Sequence, residues 1–344
     1  GVRVIRVWSY IAANEGFVRR ILDYVSYMLT ATFASLFVRK VDVVVGTSPQ
    51  FFTTCAAYLV GSIKRVPWVF ELRDIWPESI RAVGAMQESR ALDLLEKVEI
   101  FLYRRAATII SVTHSFRDTL ARRGIDSAKI KVVTNGVDIS RFAPREKDAE
   151  LVAQHKLEGK FVAGYIGTHG MAHGLDTLLD TARLLKQRPD GDRYRILFLG
   201  DGACKAALVA RALTEQLDNV LFIDTVTKDE VVRYWSLLDI SIIHLKKNGI
   251  FTTVIPSKLF ECMAMAIPVL HCVLGESADI VEREKVGLVV EPEDPSALCE
   301  NIIRVAADVA LYEDFRLNGP AAALKYDRAN LASAMLQHVI AAVK

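Results

Sequence analysis

The chain has 344 residues, enough for two ordinary domains, with 51% hydrophobic and 24% charged residues, so it can bury large cores and is not disordered. Lys and Arg number 43 against 41 Asp and Glu, a formal net charge of +2, which argues against a nucleic-acid partner and leaves room for a local anion site. The five cysteines, Cys55, Cys204, Cys262, Cys272 and Cys299, form no CxxC pair; a disulfide framework and a structural zinc are not expected, and a reducing, cytoplasmic setting is.

Gly1 to Val7 (GVRVIRV) reads at once as a strand, and no secretory signal is expected at this end. Ile21 to Val38 is the most membrane-like stretch, apolar for about a bilayer's worth of helix. Its Asp23, Ser26, Thr30, Thr32 and Ser35 favour a core helix of an α/β domain over a membrane-facing one. Val41–Val45 is then a strand ending in a Gly46-Thr47-Ser48-Pro49 turn, 52–63 a helix and 68–72 a strand. Helices are predicted over 92–106 and 115–123, with strands over 108–112 and 131–133. The rhythm pauses at Asn135 to Lys147, where turn residues, Pro144 and mixed charge mark a linker. A second series follows, with strands at 161–166, 195–199, 220–223, 240–244 and 268–270 and helices at 175–187, 203–217, 258–264 and 295–308. Alternating strands and helices predict parallel sheets covered on both faces, which bind ligands beyond the carboxyl ends of their strands.

Two loops of the second series can carry chemistry. Gly167-Thr168-His169-Gly170-Met171-Ala172-His173-Gly174 joins a strand to a helix, where main-chain N–H groups and the helix start favour an anion. It has neither the GK[ST] of a P-loop nor the GxGxxG of a dinucleotide site, and glycines here also serve plain tight turns. The run Pro256-Ser257-Lys258-Leu259-Phe260-Glu261 puts a hydroxyl and an ammonium at a helix start and a carboxylate one turn on. A phosphate on the first two and a ribose on Glu261 is one reading; a capping Ser with an exposed Lys–Glu pair is the other. Lys246 and Lys247, just past a strand end, are further phosphate candidates. Asp74 ends a strand and can polarise a hydroxyl or close a turn on its own backbone, with Arg73 beside it; Trp76 reads as packing. His114 follows another strand and is either a site residue or structural. His169 and His173 straddle a turn with no carboxylate nearby, and no paired acidic motif stands at a strand end, so no metal is expected.

These motifs together resemble a family. PSKLFECMAMAIPV from Pro256, with Gly275-Glu276, Gly287-Leu288-Val289-Val290, Pro292 and Asp294-Pro295, looks like the donor half of the retaining glycosyltransferases of family GT4, which adopt the GT-B fold: two Rossmann-like domains facing across a cleft. Asn135-Gly136-Val137-Asp138 with Arg141-Phe142 matches the family's hinge motif, and Leu199-Gly200-Asp201-Gly202 its second donor-domain turn. Glu71 to Ser79 (ELRDIWPES) and Gly167 to Gly170 resemble a narrower group that transfers amino sugars such as N-acetylfucosamine in bacterial O-antigen or capsule assembly.

The resemblance implies an acceptor-side domain over 1–140, a nucleotide-sugar domain over 141–325, and a last helix over 326–344 packing back on the first. It implies a nucleoside-diphosphate sugar, UDP in the first instance, as donor and a glycan or polyprenyl-linked glycan as acceptor. No cofactor is implied, and the enzyme would be cytoplasmic with room for a peripheral contact with the membrane. Gly167, Thr168 and His169 would lie under the diphosphate, Glu261 would hold the ribose, residues 254–257 would offer amides to the distal phosphate, and Arg73 and Asp74 would face the transferred sugar. Three features depart from the family. Thr253 stands where it has the first Glu of Glu-x7-Glu, the Gly167 loop lacks the usual Arg and Lys, and Gly1 enters the pattern after the usual first strand and Gly-rich loop. Lys246, Lys247 and Lys258 are the expected substitutes for the missing charge. A nucleotide-sugar 2-epimerase of the same architecture and a non-catalytic sugar-nucleotide binder are the competing readings, with a Rossmann dehydrogenase behind them.

Overall fold

The computed structural model describes residues 1–11, 17–75 and 90–343. The chain divides into two compact units, one of Gly1–Thr134 with Ala332–Lys344 and one of Asn135–Leu331. The divisions fall there, in place of the expected 140 and 325, for a local reason. The Val137 N–H donates to the Tyr326 carbonyl (3.0 Å) and the Arg328 N–H to the Val137 carbonyl (2.9 Å), so the turn after Asn135 is pinned to the segment before the last helix.

In the first unit, β1 (Val44–Thr47), β2 (Trp68–Leu72), β3 (Thr108–Ser111) and β4 (Ile130–Val132) form a parallel sheet in that order. β2 is buried nearly throughout, as a parallel strand covered on both faces must be. Helix Phe51–Lys64 is capped by the Gln50 side chain and helix His114–Arg122 by the Thr113 hydroxyl, which accepts from the Phe116 N–H. Helix Arg90–Arg105 carries the buried Glu99, which accepts from the Tyr103 hydroxyl (2.7 Å) and from Arg123 (3.0 Å). Burial outweighs those contacts and lifts the Glu99 carboxyl to about 7. The unit closes with the part of helix Arg328–Ala341 from Ala332 onward, whose Val339 packs with Val69 and Ile110.

Two expectations for this unit change. Residues 1–7 form no strand: a strand needs a neighbour for its N–H and C=O groups, and none of the described strands pairs with them. The residues that follow, Trp8 and Tyr10, are tied to a helix, the Tyr10 N–H donating to Ser26 Oγ and Thr30 Oγ1 to the Trp8 carbonyl. That helix, Phe17–Leu36, packs along helix Phe51–Lys64 but leaves Leu29 and Phe33 60% and 64% exposed, so it is a surface helix and not a core one. No helix among the described residues is long and apolar enough to cross a membrane.

The second unit has six parallel strands: β5 (Phe161–Ile166), β6 (Tyr194–Leu199), β7 (Val220–Ile223), β8 (Ile240–His244), β9 (Val269–Cys272) and β10 (Gly287–Val289). Their order is β10-β9-β8-β5-β6-β7. From β5 the chain winds outward to β7, then returns to lay down β8, β9 and β10 on the other side. The reversal between β5 and β8 is the crevice where open α/β sheets take their ligands. Alternate side chains divide between two cores, Leu197 and Ile243 in one and Phe198 and Ile242 in the other, as period-two strands require.

Candidate active site

The loop after β5 lies against the loop after β6 main chain to main chain. The Gly167 N–H donates to the Leu199 carbonyl (2.9 Å) and the His169 N–H to the Asp201 carbonyl (2.8 Å), while the His169 carbonyl accepts from the Cys204 N–H (2.9 Å). Such contact requires glycine: a β-carbon at Gly200, whose φ is +140°, would stand 2.0 Å from the Gly167 carbonyl oxygen. The Leu199-Gly200-Asp201-Gly202 turn therefore shapes the Gly167 loop from below.

A second tie crosses the reversal point itself. His244, at the end of β8, is buried, with Nδ1 2.7 Å from the His173 carbonyl and Nε2 3.1 Å from the Glu293 amide. Because the amide can only donate, Nε2 accepts and the ring carries its proton on Nδ1. The Lys246 N–H adds a bond to the Ala172 carbonyl (2.9 Å). Desolvation lowers His244 below the ordinary imidazole value and, with a smaller contribution from Lys258, brings His173 to about 4. His169 is fully buried, neither of its nitrogens meets a partner among the described residues, and burial brings it to about 4 as well. All three rings are neutral at pH 7 and compensate no anion.

Positive charge reaches the loop from another element. Lys258, first residue of helix Lys258–Ala264, extends its ammonium to 3.8 Å above the Tyr165 ring centroid, and a β-carbon at Gly167 would lie 2.7 Å from its Nζ. Ser257 precedes that helix, exposed, with its side chain making no capping bond. Glu261, half-buried one turn on, is raised by desolvation against the opposing charges of Lys258, Arg328 and Arg141. The Gly167 loop and the Ser257–Glu261 segment thus meet through Lys258. Thr168 is exposed at the loop's rim, its carbonyl accepting from the Tyr165 hydroxyl (2.9 Å).

Lys246, whose main chain is bonded to the Gly167 loop at Ala172, and Lys247 stand over a cavity of about 240 Å³ also lined by Phe251, Thr252, Val273 and Leu274. Lys247 pairs with Glu291, and its amide donates to Glu293 Oε2 (2.8 Å), so its charge is spent locally. In the first unit, the Ser48 hydroxyl accepts from the Arg73 N–H (2.9 Å) and the Asp74 N–H (3.2 Å), fixing the end of β2. Arg73 and His114 are exposed and Asp74 is half-buried; Trp76 to Ser79 lie outside the described residues. No sequence pattern assigned Tyr165, Arg141 or Arg328 a site role; Arg141 was visible in the hinge motif, while nothing local marks Arg328.

Residues 160–308 match the family model "Glycosyl transferases group 1", and residues 1–136 match "Glycosyl transferase 4-like domain". The chain is built from two glycosyltransferase domains in the GT-B fold. Its GT-B likeness to solved structures includes Anabaena HepE in complex with UDP, at a TM-score of 0.74 and 17% identity, covering 95% of this chain and 85% of that one. TuaH of Bacillus subtilis, provisionally named a teichuronic acid biosynthesis glycosyltransferase, is 25% identical over 73% of this chain. CapM of Staphylococcus aureus, a capsular polysaccharide biosynthesis glycosyltransferase, is 22% identical over 77% of it. The matches take in 62% of TuaH and 69% of CapM, so this GT-B chain spans under two thirds of the first.

Proposed function

We propose that the chain is a retaining glycosyltransferase of bacterial surface-polysaccharide synthesis, moving a sugar from a nucleoside diphosphate, UDP in the first instance, to a hydroxyl of a glycan or polyprenyl-linked glycan. The observation that carries this reading is the convergence of the Gly167 loop, the Lys258 ammonium and the Glu261 carboxylate at the reversal point of a domain matching the group 1 model. A departing diphosphate needs compensating charge, and Lys258 with the loop amides supplies it there. The leaving phosphate then takes the acceptor proton on the face from which it departs, so no separate base is required. The reading assigns no metal and no cofactor.

In this reading Glu261 holds the ribose hydroxyls, and Arg73, Asp74 and His114 serve the acceptor side. Transfer of an amino sugar is the finer form of the proposal, motivated by the ELRD and GTHG segments. Peripheral membrane association belongs to it as well, since lipid-linked acceptors lie there.

The test is a thermal-shift panel of UDP-, GDP- and ADP-sugars followed by product analysis with and without lipid-linked acceptor, in the presence of EDTA. Binding raises the apparent stability of the folded state. Glu261→Ala is expected to abolish the shift, and a product of unchanged anomeric configuration is expected in EDTA. Donor hydrolysis alone, epimerised donor, or an inverted product would overturn the reading.

A further inference from the structure

Resting on the donor reading above, we propose that Tyr165 and Gly167 are positioning residues for Lys258, and that binding of a nucleoside diphosphate is coupled to proton uptake by the Lys258 amine. The amine stands over the Tyr165 ring, and the ring is fully buried and fixed by its hydroxyl donating to the Thr168 carbonyl (2.9 Å). The φ of +148° at residue 167 favours glycine, and a β-carbon there, 2.7 Å from Nζ and 3.4 Å from Cε of that lysine, would push the flexible amine aside. The glycine thus opens room for an ammonium from another helix, as well as letting the loop turn.

The surroundings give this amine little counter-charge. From the loop it meets the neutral His169 and His173, both held near 4. On its own helix stand Glu261, shared with Arg141 and Arg328, and Cys262, whose thiol burial pushes up to about 12 and keeps neutral. Around His169, Lys205, itself paired with Asp224, adds positive charge and Asp201 negative charge. Burial prevails, and the Lys258 amine falls to about 8. A diphosphate beside it favours the charged form and raises that value, so the complex holds a proton that the protein alone has partly released above pH 8. Affinity then falls with rising pH in that range, by up to about tenfold per unit. The terminal phosphate of a nucleoside diphosphate, with its second ionisation at about 6 like that of a phosphate monoester, no longer titrates there.

Titration calorimetry of the full chain with UDP, GDP and ADP at pH 7.0 and 8.5, in buffers of different ionisation enthalpy, tests this. Proton uptake is expected at pH 8.5 and close to none at pH 7.0, with affinity falling several-fold between pH 7.5 and 9.5. Lys258→Arg, which stays charged, is expected to bind with neither proton uptake nor pH slope. Tyr165→Phe, which keeps the ring, should keep the slope, whereas Tyr165→Leu, which removes the ring face that favours the cation, should move it to lower pH. Gly167→Ala should weaken binding at pH 7.0. Wild-type binding without proton uptake at pH 8.5, or a slope that survives in Lys258→Arg, overturns the coupling and leaves the donor reading standing. No binding of any of the three nucleotides at pH 7.0 removes both.

Discussion

In the second unit the loops after β5, β6 and β8 are joined largely main chain to main chain, with Gly167 on Leu199, His169 on Asp201 and Lys246 on Ala172. In the first unit the Arg73 and Asp74 amides rest on one side-chain oxygen, that of Ser48. Main-chain ties survive most substitutions and fail only where a side chain is forced between them. A tie through one hydroxyl is cut by removing that hydroxyl. The two candidate sites should therefore be separable by mutation.

The largest expected effect is at Gly200. Gly200→Val drives a β-carbon into the Gly167 carbonyl and is expected to destabilise the second unit by about 3 kcal/mol or more. Urea denaturation and nucleotide titration should report loss of stability and of binding together, and a stable, binding variant would break the contrast. Next, His244→Ala leaves the His173 carbonyl and Glu293 amide without the ring and opens a cavity, a loss of about 2–3 kcal/mol by the same denaturation measurement. Ser48→Ala sharpens the comparison from the other side. It is expected to cost about 1–2 kcal/mol and to lower turnover in an acceptor assay, while calorimetric UDP affinity stays as in the wild type.

The effect of Glu99 differs in kind, being confined to the pH dependence of stability. Its folded-state carboxyl titrates at about 7 against an ordinary 4.5, so the native state binds more protons between those values. Stability from this group is greatest at the acid end and declines as pH rises through about 4.5 to 7. Glu99→Gln should flatten that part of a plot of melting temperature against pH.

The alternation of strands and helices was legible because each parallel strand is a short apolar run bounded by turn residues. Strands 161–166, 220–223 and 240–244 stand where the pattern places them. The reading of residues 1–7 as a strand failed because alternation reports a residue's preference and says nothing of an available neighbour. At the candidate site, local motifs were visible: glycines at a strand end, and a Ser-Lys pair at a helix start. The encounter of Lys258 with Gly167 was not, since it depends on two elements far apart in sequence arriving at one point. Nor was the proton arrangement of His244, which depends on which main-chain groups face each ring nitrogen. Lys247 looked equivalent to Lys258 in sequence, and only the fold places Glu291 and Glu293 beside it.

Helix Arg328–Ala341 brings Val339 to Val69 and Ile110, so a part of the first unit's core is encoded after the entire second unit. During synthesis the ribosome delivers that part only when residues 135–331 have already emerged. The β2–β3 face must wait, uncovered, while its neighbour folds, and the unit whose sequence begins first is the one completed last. A chain cut after the second unit would leave that face open for good, and chaperone dependence should therefore concentrate on the N-terminal half.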